Sequence, residues 1–334
     1  MTSVLEATAE TGHGPVPAPP PGQVAVVRVP APDDAAGWAA EHRTTVLRAV
    51  AEHGAVLLRG LAVDSPEAVE AVARALGVDP MEERERFAAR RRYRPGVQGS
   101  SEWPPDEPMC MHHELSYAAE VPALALFGCL TAPAEGGATA VADAHEVLRA
   151  LPAGLVDRFA REGWQLTRTY REVGVAWTEA FGTDDPDRVA AYCASAGIEH
   201  TWLDDGALRT RQRRSAVREH PVSGTPLWFN QIAFLNELTL DPMVREYLTE
   251  VYGPDSLPFT TAYGDGTPIP AEEIATVNDA YRDATRREPW QAGDVLLVDN
   301  IRMAHSREEY RGEREIVVIL GNPAWLPGHV MDPH

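Results

Sequence analysis

The sequence contains no lysine; its 30 basic residues are all arginine, and 50 acidic residues outnumber them to give a formal net charge of −20. Nucleic acid and anionic membrane surfaces both reward clustered cations, so neither is expected as a partner. The missing lysine accompanies abundant Ala, Gly, Pro and Arg, a coding bias of high-GC genomes that carries no functional information. Cysteine is scarce as well. Cys110, Cys129 and Cys193 are too few and too scattered for a disulfide framework, and the expected compartment is the cytoplasm. No window approaches the roughly 18 consecutive apolar residues of a membrane span, and no basic region followed by an apolar run reads as a signal peptide. Internal repeats are absent too. What is present is 334 residues with 44% hydrophobic content, enough for a soluble globular protein with a proper core.

Residues 1–22 end in a Pro-rich run from Gly14 to Gly22, which forms neither helix nor ladder and reads as a disordered lead-in. Residues 23–334 are expected to form one catalytic domain. Its first third alternates strand, helix, strand, helix: apolar residues recur at helical spacing up to Glu52 and stop at Gly54, and Ser65-Pro66 caps a second helix running to about Leu76. A charged and then Gly/Ser/Pro-rich loop covers 82–108, of a length that is usually functional or disordered. Strands follow at 123–130 and 138–143, and again at 295–300 and 315–320. Between these strand sets, about 170–290 mixes helical stretches, among them 184–196, with polar loops and a strand or hairpin over 202–214, and reads as an insertion.

Two stretches acquire meaning together: Met111-His112-His113-Glu114-Leu115-Ser116-Tyr117 and Asp299-Asn300-Ile301-Arg302-Met303-Ala304-His305. In an extended segment residues i and i+2 share a face, so His112 and Glu114 can present an imidazole nitrogen and a carboxylate oxygen to one point while His113 turns away. If His305 returns to that point, two histidines and one carboxylate face a metal and leave its other positions open. That ligand set suits a non-haem Fe(II) oxygenase. A lone His-x-Glu is common by chance, and the rest of the chain must support it. His42, His53, His145, His200 and His220 have no comparable pattern and are read as structural.

The chain resembles the TauD/TfdA family of Fe(II)/2-oxoglutarate dioxygenases, in particular its clavaminate synthase-like, syringomycin-type members, over roughly 23–325. The resemblance rests on several stretches in order. They are His112 to Tyr117, the turn Pro133 to Thr139, His220-Pro221 followed by Trp228-Phe229-Asn230-Gln231, and Trp290 through Gly293-Asp294 and Asp299-Asn300 to His305. It implies an α+β fold built on a double-stranded β-helix (jelly roll), flanked by helices and with a helical or loop insertion over the site. Carried over by motif, it implies His112, Glu114 and His305 as ligands of Fe(II). It also implies Thr139 and Arg314 as the residues that bind the far carboxylate of 2-oxoglutarate, because a guanidinium offers a two-pronged donor and a hydroxyl adds a third bond. Family members often carry two basic residues where this chain has Arg314-Glu315, so Arg307 stands as the alternative.

The implied reaction consumes dioxygen and 2-oxoglutarate and hydroxylates an unactivated C–H bond; desaturation or cyclisation begins with the same hydrogen abstraction. A halogenating relative carries a small residue where Glu114 stands, so hydroxylation is the expectation. Relatives of the syringomycin type imply an amino acid or amino-acid-derived substrate, free or held on an acyl or peptidyl carrier protein, commonly oxidised at the β-carbon. Tyr117, Arg213 and Asn230 are candidates for its pocket. Arg209, Arg211, Arg213 and Arg214, together with Arg90 to Arg92, either clamp a substrate carboxylate, meet an acidic carrier, or pair with the chain's many carboxylates. Two other classes remain: a Zn²⁺ hydrolase, which gives no reason for Thr139 and Arg314, and a non-catalytic jelly-roll binder, which needs no complete ligand set.

Overall fold

The computed structural model describes residues 16–171, 173–253 and 256–331. Period-two alternation decides how its sheets pack. In the strand Val295–Asp299, Leu296 and Val298 enter one hydrophobic cluster while Val295 and Leu297 enter another, and in Glu315–Trp325 Ile316, Val318 and Leu320 oppose Val317 and Ile319 in the same way. Both faces of these strands are therefore buried, which explains their near-continuous apolar sequence. They belong to a seven-stranded sheet ordered Ala25–Arg28, Ala55–Arg59, Val295–Asp299, Glu120–Thr131, Glu315–Trp325, Val97–Ser101 and Arg90–Arg94. Only the first pair is parallel.

The helices Ala35–His53 and Pro66–Leu76 cover the outer face of that sheet, packing Val46, Val50, Val69 and Leu76 against Val56, Leu58, Leu126 and Val317. Asp34 and Ser65 cap them by accepting from the amides of Gly37 and Ala68, with Pro66 in the first turn. Gly128 is a close approach in this layer, since a Cβ there would lie 2.4 Å from Val69 Cγ2. Gly128→Ala should therefore overpack the layer and cost about 1–3 kcal/mol. A denaturation midpoint unchanged from the parent chain would show that the helix yields freely.

The inner face meets a three-stranded sheet of Thr285–Arg286, Thr139–Asp143 and Met303–Arg307. Ala140, Ala142, Met303 and Ala304 share one core cluster with Phe127, Leu296 and Val318 of the large sheet. The result is a cupin-like jelly roll with helices outside it, and the candidate ligands lie between its two sheets.

Three local expectations change. The segment 82–108 is not all loop, because Arg90–Arg94 and Val97–Ser101 form an edge hairpin turned at Pro95-Gly96, where Gly96 has φ +72°. In the middle of the chain the strand or hairpin expected over 202–214 is there, as Ile198–Trp202 with Leu208–Arg214, but it belongs to a larger sheet and does not lie among helix and loop alone. Phe259–Tyr263, Trp164–Tyr170, Leu208–Arg214 and Ile198–Trp202 build a four-stranded sheet beside the helices Pro186–Ser195, Pro242–Tyr252 and Ala271–Asp283. The Pro-rich lead-in lies outside the described residues up to residue 15, but 16–22 is tied down: His53 Nε2 lies 2.9 Å from the Val16 carbonyl, and the Arg287 amide donates to the Gly22 carbonyl at 3.0 Å.

Candidate active site

His112 and His305 meet through an isolated antiparallel bridge in which each amide donates to the other's carbonyl, at 2.9 and 2.8 Å. Their ring centroids lie 4.5 Å apart. Glu114 reaches the same point, but not along an extended strand as expected. After His112 the bridge gives way to a turn, with Leu115 at φ +53°, yet the alternation holds across the three residues, His112 and Glu114 meeting at one point while His113 turns away. Asn300 fixes the turn: its Oδ1 accepts from the Glu114 amide at 2.8 Å, and its Nδ2 donates to the carbonyls of Glu114 and Pro122 at 3.1 and 2.8 Å. His113 points away, as expected, with Nδ1 2.7 Å from the Asn300 carbonyl.

One ligand atom from each of His112, Glu114 and His305 lies within 4.8 Å of the others, and all three residues are buried. The donors suit a divalent metal. Burial, with His305 alongside, pushes the His112 imidazole down to about 3, so it is neutral. Its Nδ1 lies 2.9 Å from the Cys110 carbonyl; donating there leaves the lone pair on Nε2, which faces the site. Burial alone would raise the Glu114 carboxyl, but the Arg90 guanidinium and the two histidines hold it well below the usual carboxylate range. Arg90 Nη2 donates to Glu114 Oε1 at 2.6 Å.

Two chambers meet at His112 and Glu114, only the first also reaching His305, and both are bordered by Arg90, Ser101 and Met109. The first contains Thr139, Arg307 and Arg314. Arg314 donates through Nε to the Gly137 carbonyl at 3.0 Å, and its Nη2 lies 3.4 Å from Thr139 Oγ1. Burial, with Arg307 adding repulsion, lowers the Arg314 guanidinium to about 10. Neither arginine has a carboxylate partner among the described residues. Arg307 spends its donors on the carbonyls of Trp103, Pro104 and Glu107, whereas Arg314 borders the chamber beside Thr139. A small dicarboxylate fits this chemistry, with one end at the donor triad and the other on Arg314 and Thr139.

The second chamber is lined by Tyr117, Phe87, Phe234, Gln231 and Glu83. Tyr117 is thus placed beside the candidate ligands, its hydroxyl donating to the Glu85 carbonyl at 2.9 Å. The other two pocket candidates are not. Asn230 is buried in its own turn, donating to the Ala216 carbonyl and accepting from the Ile232 amide; its neighbour Gln231 faces the chamber instead and donates to the His113 carbonyl. Arg213 lies on the outer face of Leu208–Arg214, where Nε donates to the Glu162 carbonyl at 2.7 Å. As alternation required, Arg214 takes the opposite face: fully buried, it donates to the carbonyls of Tyr117 and Ala196 and braces the ligand turn from behind. The exposed arginines are paired, Arg91 with Glu315, Arg92 with Glu82 and Arg211 with Glu199. Glu83 is a site residue that no local pattern singled out; Arg90 stands out in the sequence only as one of a cluster, and Gln231 and Asn300 only as parts of motif stretches without a role of their own. Among the described residues no helix is long and apolar enough to cross a membrane.

Comparison with known proteins agrees with this geometry. The model of the taurine catabolism dioxygenase TauD, TfdA family matches residues 19–320. The dapdiamide synthesis protein DdaC of Enterobacter agglomerans is 34% identical over 286 residues, 85% of this chain and 87% of DdaC. A clavaminate synthase-like protein of Arabidopsis thaliana is 27% identical over 280 residues, 80% of this chain and 82% of that protein. Among solved structures, PvcB from Pseudomonas aeruginosa superposes with a TM-score of 0.54 at 17% identity over 99% of both chains, a likeness of fold. With a family match across nearly its whole length and a relative above 30% identity, the chain belongs to the TauD/TfdA family and is a 2-oxoglutarate-dependent dioxygenase that uses iron and dioxygen.

Proposed function

We propose that this dioxygenase hydroxylates an unactivated C–H bond, at the β-carbon, of an amino acid or amino-acid-derived small molecule in natural-product biosynthesis. Its iron is held by His112, Glu114 and His305, and the far carboxylate of 2-oxoglutarate by Thr139 and Arg314. The observation that carries the reading is the pair of chambers meeting at His112 and Glu114 of the donor triad, the first reaching His305 and ending in two guanidiniums without carboxylate partners among the described residues and the second walled by aromatic side chains. The relative named for dapdiamide synthesis supports a biosynthetic role. A Zn²⁺ hydrolase would leave Arg314 beside Thr139 unexplained.

Iron held by His112, Glu114 and His305 would let dioxygen act as the oxidant, one oxygen atom going to the product and the other to 2-oxoglutarate as it leaves as succinate and carbon dioxide. The protein's own residues arrange the rest. Asn300 holds the Glu114 backbone, Arg90 holds one oxygen of its carboxylate, and the Cys110 carbonyl sets the His112 tautomer. Phe234 stacks on His112 with centroids 4.6 Å apart, limiting water beside the ligands. Since Asn300 acts on metal affinity through Glu114, Asn300→Ala should weaken Fe(II) binding by about ten- to a hundredfold. Anaerobic Fe(II) titration checks this, and an unchanged affinity would mean that the turn is held without Asn300.

With Fe(II), ascorbate and 2-oxoglutarate, the purified protein should form succinate slowly, and faster when substrate is present. A screen of free amino acids against the same amino acids loaded on carrier protein, read by a mass gain of one oxygen, identifies the substrate form. Mass loss of two hydrogens would assign desaturation or cyclisation instead. Turnover only of a sulfonate or an aryloxy acid would overturn the substrate reading and leave the iron chemistry intact.

A further inference from the structure

The second chamber contains a carboxylate that the reaction machinery does not use. Glu83 lines it together with Phe87, Arg90, Tyr117, Gln231 and Phe234, and its side chain is only 4% exposed. Its two polar neighbours both engage the same oxygen: Gln98 Nε2 donates to Oε1, and Arg90 Nη1 stands 3.8 Å from Oε1, beyond hydrogen-bond reach. No hydrogen bond to Oε2 is formed among the described residues. Arg90 has already committed Nη2 to Glu114 at 2.6 Å, so it neutralises Glu83 only at a distance. Burial raises the Glu83 carboxyl, and the nearby Glu114 raises it further against the pull of Arg90.

Arg90 is shared between two carboxylates, Glu83 and Glu114, and Arg86 acts on Glu83 only from beyond ion-pair distance, so the free oxygen of Glu83 can take a further cation. The chamber walls agree. Phe87 and Phe234 lie with ring centroids 5.2 Å apart, and an aromatic face attracts an ammonium as well as packing its alkyl chain. We infer that Glu83 binds a positively charged amino group of the substrate, whose carbon chain then lies against the touching rings of Phe87 and Phe234 on its way toward His112 and Glu114, in a chamber of about 20 Å³ that widens to admit it. The inference rests on the second chamber being the substrate's, as proposed above, and narrows the substrate to compounds with a free amine. Arg90, fixed between Glu83 and Glu114, couples the amine site to the ligand side and is not free to clamp a carboxylate.

The test uses the full chain loaded with Fe(II) and 2-oxoglutarate without dioxygen. Probes are the proteinogenic amino acids as free acids and as pantetheine thioesters, each with its N-acetyl counterpart, and the matching alkylamines that lack a carboxyl group. Binding is read by calorimetry. At least one free-amine probe should bind about ten- to a hundredfold more tightly than its N-acetylated partner, the range of a hydrogen bond to a charged group. Glu83→Gln should shrink that preference to about twofold or less, and Glu83→Asp should keep part of it. If no free-amine probe outbinds its N-acetyl partner in the parent chain, whether both bind or neither does, the inference is overturned; full preference retained in Glu83→Gln overturns it equally. Tight binding of alkylamines alone would leave Glu83 in place and remove the amino-acid reading, and the cosubstrate's visible band, recorded on the same samples, judges the iron chemistry separately.

Discussion

Glu114→Ala is expected to lower 2-oxoglutarate-dependent product formation more than about a hundredfold, since even the outer partners of metal ligands cost ten- to a hundredfold when removed. Alanine deletes a ligand and the only negative charge among the three candidate donors. It also takes from Arg90, whose side chain is 8% exposed, its hydrogen-bonded carboxylate partner, leaving only the longer pair with Glu83 at 3.8 Å. Breaking such a buried pair costs about 3–5 kcal/mol, so the metal-free variant should also melt earlier. Glu114→Gln separates the two effects by keeping shape and one acceptor oxygen, and it should recover stability more than activity. Product formation by Glu114→Ala at the parent rate would mean that the metal ligand has been misassigned.

Arg314→Ala should raise the 2-oxoglutarate concentration needed for half-maximal succinate formation by about ten- to a hundredfold, because a charge-assisted hydrogen bond is worth roughly 1.5–3 kcal/mol. Removing the guanidinium leaves Thr139 as the remaining donor at that end of the chamber, with Arg307 held by three backbone carbonyls. Since Arg314 is distant in role from the metal donors, its loss should show chiefly as a requirement for cosubstrate and less as a fall in the saturated rate. An unchanged requirement in Arg314→Ala, with a raised one in Arg307→Ala, would transfer the role to Arg307.

Much of the jelly roll was legible because its inner strands are buried on both faces. The runs at 55–60, 123–130, 295–300 and 315–320 are apolar in near-continuous form, and Gly54, Ser65-Pro66 and Gly293 punctuate them. The hairpin Arg90–Arg94 with Val97–Ser101 was missed because an edge strand of arginines has no apolar face to alternate. At the site, motif order brought out His112, Glu114, His305, Thr139 and Arg314, and the structure gathers all five. The alternation that joins His112 to Glu114 holds, but the bridge to His305 and the turn at Leu115 that follows leave no periodic trace. Asn230 and Gln231 show the same limit, since in a turn a one-residue difference decides which side chain meets the chamber. Arg90 pairs with Glu114 across 24 residues and Asn300 with Glu114 across 186. Contacts at such separations follow from tertiary packing and not from spacing.

The most direct measurement is anaerobic titration of Fe(II) into the protein in the presence of 2-oxoglutarate, followed by visible absorption. The account predicts a weak charge-transfer band that saturates at one iron per chain, is absent when Zn²⁺ replaces iron, and needs about ten- to a hundredfold more 2-oxoglutarate in Arg314→Ala. No band from the parent chain at saturating iron and cosubstrate would contradict it.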